Sequence, residues 1–160
     1  MSTDQKYTEM AYFIAQARPD EPLPMHLLLL GDENQRLINE YLPQCLIYLL
    51  KDEEQIQGIC LLQVRQTTGE IMNIAVEPSS QGQGFGRALL VYVTEVARQL
   101  NLQKLVIKTG NSGIGQIALY QQQGFDLAHV NYNYFLEAYP EPIWENRIQC
   151  KHQLVFELML

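Results

Sequence analysis

One stretch, Asn73 to Leu90, limits what this chain can fold into more than any other. Asn73-Ile74-Ala75-Val76 reads as the end of a short buried strand, stopped by Pro78. Gln81-Gly82-Gln83-Gly84-Phe85-Gly86-Arg87 follows, a polar turn with three glycines in five residues, and then a helix begins. Glycines let the backbone turn tightly and approach a ligand without interference from Cβ. The helix leaves its first N–H groups unpaired and its positive dipole end facing the turn, which suits a phosphate. A strand, a glycine loop and a helix in this order form an anion cradle.

The loop is neither a dinucleotide fingerprint, whose third glycine position is missing, nor a P-loop, which needs Gly-Lys-Ser/Thr. Its pattern is Gln81-x-x-Gly84-x-Gly86 after Ile74-Ala75-Val76-x-Pro78. A second motif lies downstream: Ala118-Leu119-Tyr120-Gln121-Gln122-Gln123-Gly124-Phe125. Together they resemble the GNAT superfamily of N-acetyltransferases, from about residue 45 to the end. The resemblance implies an α/β (α+β) fold in a single domain over 1–160. Its central sheet is mixed and mostly antiparallel, flanked by helices and splayed at the acyl-CoA strand.

The 160 residues suit one core, and 47% apolar content marks a globular chain. No apolar run reaches the length of a membrane span and no secretory segment opens the chain, so a cytoplasmic protein without membrane contact is expected. Cys45, Cys60 and Cys150 are odd in number and widely spaced, which fits buried or idle thiols in a reducing compartment and no metal site. A net charge of −7 argues against nucleic acid as a partner and steers weakly towards a cationic amine.

Along the chain, Tyr12-Phe13-Ile14 is a first strand, and Pro22 to Leu30 a short apolar helix broken by Gly31. Asp32 is expected to cap a second helix through Tyr41. Leu46–Leu50, Ile56–Val64 (with Gly58 at a bulge or close approach) and Glu70–Val76 form an antiparallel meander. From Phe85 to Leu100, residues Phe85, Leu89, Tyr92, Val93, Val96 and Leu100 make one apolar helical stripe. Lys104–Lys108 is a strand, residues 126–136 another, and His152 to Leu160 the last, whose apolar end offers a possible homodimer interface. Between the last two, Tyr139 to Arg147 reads as a long, proline-rigid aromatic loop.

The resemblance assigns chemistry to particular residues. It implies that Ile74, Ala75 and Val76 align the pantetheine arm of acetyl-CoA like an added strand. Gln81, Gly82, Gln83, Gly84, Phe85, Gly86 and Arg87 then hold the pyrophosphate, although Arg87 also reads as a solvated charge. Tyr120 matches the tyrosine that protonates the departing thiolate. The asparagine the family often has seven residues before it is Gly113 here, so Asn111 and Ser112 stand in as cofactor contacts. Glu70 resembles in its placing the base glutamate of the histone acetyltransferase branch, with Glu77, His129 or a water chain as alternatives. Strand alternation puts Glu70, Met72, Ile74 and Val76 on one face unless a bulge intervenes. His26, Tyr139, Glu141, Trp144 and Glu145 are candidates for an acceptor rim. The implied reaction is direct transfer from acetyl-CoA to a small-molecule amine. Transfer to a protein N-terminus or lysine, or a non-catalytic acyl-CoA sensor, are the other readings.

Overall fold

The computed structural model describes residues 11–53 and 55–160. Seven strands form one sheet in the order β1-β2-β3-β4-β5-β9-β6. They are β1 Tyr12–Gln16, β2 Cys45–Asp52, β3 Gln55–Arg65, β4 Thr68–Val76, β5 Lys104–Gly110, β6 Asp126–Asn131 and β9 Gln153–Met159. A small hairpin, β7 Ile143–Glu145 and β8 Ile148–Cys150, stands apart. Every pairing in the large sheet is antiparallel except β4 with β5. The turns from β2 to β3 and from β3 to β4 are short enough for hairpin pairing, β1 reaches β2 through two helices, and β4 reaches β5 by a helical crossover, which is what a parallel neighbour requires.

Helices cover the two faces unequally. Helices α3 (Phe85–Gln99) and α4 (Ile114–Gln122) pack on one face over Leu62, Ile71, Leu105, Ile107 and Phe156. Helices α1 (Met25–Gly31) and α2 (Gln35–Tyr41) pack on the other through Leu27, Leu28 and Ile38 against Leu49, Ile59 and Leu61. Among the described residues the α1–α2 core does not extend over β5, β9 and β6, where Glu70, Lys108, His129 and Glu157 line a charged floor. The expected helical stripe of α3 is largely correct, but Leu90 and Ala97 are buried in it while Leu100 is exposed, because the helix ends at Gln99.

Several expectations need correction. Asn34, not Asp32, caps α2: its Oδ1 accepts from Leu37 N at 3.2 Å. The strand expected over 126–136 stops at Asn131, and Tyr134–Ala138 forms a short helix, α5. The loop expected over Tyr139–Arg147 is mostly the β7–β8 hairpin. Asn146 and Arg147 turn it, both with positive φ (54° and 60°), as a two-residue turn with left-handed backbone demands. Strand β9 is paired on both sides, by β5 and β6.

Candidate active site

Strands β4 and β5 pair over only four residues each, from Thr68 with Lys104 to Ile71 with Ile107. Beyond that point they part, while β4 stays paired with β3 as far as Val76 opposite Gly58. The backbone groups of Met72–Val76 that face β5 therefore lack a strand partner, and a slot opens through the sheet. An extended amide-bearing chain can add there as a strand does. Ile74, Ala75 and Val76, expected to align pantetheine, lie along this edge.

The loop at the mouth of the slot has the backbone that the glycines were expected to provide. Gly82 (φ +76°) and Gly84 (φ +86°) are left-handed, and a Cβ on either would meet nothing within 4 Å. Gln81 Nε2 donates to Val76 O at 3.2 Å, closing the end of β4, and Gln83 is exposed between the two glycines. Gly84 precedes α3, Phe85 anchors that helix in the core, and Arg87 is exposed on its first turn. A Cβ on Gly86 would lie 3.6 Å from Leu119 and 3.9 Å from Val76, so α3, α4 and β4 converge at this spot. The open, N–H-lined loop fits the pyrophosphate of coenzyme A.

Tyr120 sits on α4, 3% exposed, with its ring 6.0 Å from Phe156 and 6.3 Å from Phe125. The turn after α4 fixes it. Phe125 N donates to Tyr120 O and Gly124 N to Gln121 O, both at 3.0 Å, with Gly124 at φ +93°. That is the Schellman arrangement in which a left-handed glycine ends a helix. Burial, then Cys60 and the Glu145 carboxylate, push the Tyr120 phenol well above its ordinary value. The phenol therefore keeps its proton at neutral pH.

Glu70 lies on the other face. Leu61 opposes Asn73 and Leu62 opposes Ile71, so Met72 is an extra residue in β4. This bulge reverses the alternation: Ile74 and Val76 pack with Ile71 on the α3 side, whereas Met72 packs with the α1–α2 core. Glu70 therefore does not share a face with Ile74 and Val76, as simple alternation implied. Its Oε1 lies 2.7 Å from Lys108 Nζ.

The expected cofactor contacts after β5 have other partners. Asn111 Nδ2 donates to Gln149 O at 3.1 Å, and its Oδ1 accepts from Lys151 N at 2.7 Å and His152 N at 2.8 Å. Ser112 is fully buried and its carbonyl accepts from Asn146 Nδ2 at 2.9 Å. These two residues fasten the β7–β8 hairpin beside the start of α4.

The acceptor-rim candidates separate. Tyr139 Oη donates to Asp32 Oδ1 at 2.9 Å, and Tyr41 Oη to Asp32 Oδ2 at 3.3 Å. Asn73 Nδ2 donates to Tyr41 Oη at 3.2 Å and to Leu28 O at 2.9 Å. A chain of hydrogen bonds thus runs from the β4 bulge to the segment after α5. Burial, then the Asp32 charge, hold the Tyr139 phenol far above its usual range. Glu145, solvent-reaching on the hairpin, has its carboxyl raised by burial first and the Glu33 carboxylate second. His26 is exposed on α1 and pairs with Glu77, directly after β4. Trp144 is 65% exposed and Glu141 is exposed, and neither joins this network. His129 lines the charged floor with Glu70. Sequence reasoning gave Asp32 only a capping role and overlooked Tyr41 and Lys108. The Asp32–Tyr139 contact joins residues 107 apart, and no local pattern announces it.

The chain matches known proteins over this same framework. Residues 9–125 match the acetyltransferase (GNAT) family. The crystal structure of a GNAT family acetyltransferase from Elizabethkingia anophelis with acetyl-CoA bound is 41% identical, with a TM-score of 0.90 over 93% of this chain and 98% of that one. The IAA acetyltransferase from Bacillus cereus ATCC 14579 is 38% identical, with a TM-score of 0.89 over 94% of this chain and 100% of that one. The uncharacterized N-acetyltransferase YvbK of Bacillus subtilis (strain 168) is 40% identical over 126 residues, 78% of this chain and 81% of its own. With the split sheet, the glycine loop and these relatives together, the chain belongs to the GNAT family and is an acetyl-CoA-dependent N-acetyltransferase.

Proposed function

We propose that the enzyme acetylates a small-molecule amine by direct attack, with Glu70 as base and Tyr120 as acid. The observation that carries this reading is the slot between β4 and β5, with Glu70 on one face of the sheet and Tyr120 packed on the other. Acetyl-CoA supplies the acyl thioester. Ile74 to Val76 would hold its pantetheine arm, and the Gln81–Arg87 loop its pyrophosphate. Backbone N–H groups of the unpaired β4 edge would polarise the carbonyl, as an oxyanion hole does.

An alkylammonium, with pKa ~10.4, must lose a proton before it attacks. The Glu70 carboxylate takes that proton, sharing its position with the Lys108 ammonium. As the new C–N bond forms and the C–S bond breaks, the Tyr120 hydroxyl gives its proton to the leaving sulfur. Both residues then exchange protons with solvent, and the products are the acetylated amine and free coenzyme A. No nucleophilic side chain is consumed. The opposed placement lets the amine enter from one face while the sulfur is served from the other.

A small acceptor is favoured by what stands over the α1–α2 side. The Tyr139 segment is tied to Asp32, and the β7–β8 hairpin to Asn111 and Ser112, which narrows that side of the sheet. The test is free-thiol release from acetyl-CoA against a panel of amines, each beside a control without acceptor. Acceptor-dependent release is expected. Tyr120→Phe should lower kcat by about 10²–10⁴-fold with coenzyme A affinity retained, because its ring packing survives. An unchanged kcat in Tyr120→Phe refutes the acid role.

A further inference from the structure

We propose that the acceptor carries an anionic group several bonds from its amine, and that Arg65 seats that group. The proposal rests on the acetyl-transfer reading above and narrows it. The uncovered half of the sheet holds a groove of about 320 Å³, bounded by β3, β4, β5, β9 and β6. Strand register arranges its residues in rows running away from the slot. Nearest the slot, Lys108 stands opposite Val155, which stands opposite His129. In the next row Gln63 faces Glu70, and Glu70 faces Val106. Farthest out, Arg65 faces Thr68.

The charges in these rows do not all cancel locally. Glu70 pairs with Lys108 at 2.7 Å, and Glu157 pairs with Lys104 at 3.1 Å. Arg65 lines the same groove and has no ion-pair partner among the described residues. On a chain of net charge −7, this groove is a place where a guanidinium remains available to an anion. Its fork suits a carboxylate or phosphate, to which it can donate two hydrogen bonds at once.

The register also sets a length. Arg65 and Glu70 are diagonal neighbours on adjacent strands, about 7–8 Å apart at their backbones. An acceptor whose amine meets Glu70 near the slot would extend its anion outward to Arg65. A bare alkylamine would leave Arg65 without a partner, and a polyamine would bring a second cation against it.

The test compares initial rates of acetyl transfer by the full chain to four probes: 4-aminobutyrate, 2-aminoethyl phosphate, butylamine and putrescine. The expected kcat/KM for at least one anionic amine exceeds both others by about ten-fold or more, the effect of one charge-assisted hydrogen-bonded contact. Which of the two anionic probes is better tells carboxylate from phosphate. Arg65→Gln should abolish that preference through KM, leaving kcat and the KM for acetyl-CoA unchanged, and Arg65→Lys should restore part of it. Butylamine or putrescine used as well as the anionic probes overturns the seat but leaves the acetyl-transfer reading standing. So does a preference that survives Arg65→Gln. Transfer to none of the four while acetyl-CoA is held would count against the small-molecule-amine reading, and the seat would fall with it.

Discussion

Replacing Gly84 with alanine separates two tasks of the loop between β4 and α3: adopting a left-handed backbone and holding an anion. Gly84 has φ +86° and open space for 4 Å around the position of a Cβ, so the substitution meets no steric clash in the free protein. What remains is conformational. An L-residue pays about 1–2 kcal/mol in this region, offset by about 0.4–1 kcal/mol from the stiffer unfolded chain. The net loss is roughly 0–1.6 kcal/mol, or up to about 6 °C in Tm for a chain of this size. Coenzyme A binding should suffer more. The new methyl group projects from a loop that must approach the pyrophosphate closely, and loss of one charge-assisted N–H contact costs about 1.5–3 kcal/mol. That corresponds to roughly 10–100-fold in Kd. Thermal unfolding without ligand and calorimetric titration of coenzyme A measure the two effects separately. An affinity within about threefold of the parent, alongside the expected fall in Tm, would show that this loop does not hold the pyrophosphate. A fall in apo stability beyond about 3 kcal/mol would show that the backbone argument is incomplete.

Two further substitutions probe the acceptor side. A Cβ on Gly31 would come 2.2 Å from Asn73 Oδ1 and 2.8 Å from Asn73 Cγ, and Asn73 is held by Leu28 O and Tyr41. Gly31→Ala should therefore cost about 1–3 kcal/mol through overpacking and raise the acceptor KM by displacing the β4 bulge; stability unchanged in denaturant unfolding would refute the rigidity of that contact. The Glu145 carboxyl titrates above its unfolded value, so its ionisation weakens the fold as pH rises through that window. Glu145→Gln should accordingly raise Tm at pH 7 by a degree or two, a figure kept small because solvent screens the site, and the gain should vanish below about pH 4.

The parts legible in the sequence are those written in local signals. The left-handed glycines at 82, 84 and 124 are demanded by turns a few residues long, and glycine identity betrays them. Gly58 reads equally well: β3 has an extra residue beside it at Gln57, and a Cβ there would lie 3.0 Å from Leu89. What escaped was set across the fold. The Met72 bulge depends on how β4 registers against β3, and it alone decides which face Glu70 occupies. The β7–β8 hairpin turns on Asn146-Arg147 rather than an asparagine-glycine pair, so Pro140 and Pro142 dominated the reading. Asp32 is polar and close to a helix start, which makes it look like a cap, but besides accepting from Asn34 N it accepts from Tyr41 and Tyr139. Arg65 carries no motif at all. Its meaning appears only when neighbouring strands account for the lysines and leave the guanidinium over.

The four-residue contact between β4 and β5 is also a seam. On one side lies the antiparallel block β1-β2-β3-β4, and on the other β5-β9-β6. The core under α3 and α4 spans the seam, while the core under α1 and α2 belongs to the first block alone. A ligand laid along the free edge of β4 therefore acts as a missing strand, joining two blocks whose strands pair only at their base. Binding and cohesion of the sheet become one equilibrium, so coenzyme A at a hundred times its Kd adds about 2.7 kcal/mol to the folded state. Backbone amides of Met72–Val76 and of the β5 end would exchange with solvent as a group, slowing together when the slot is filled.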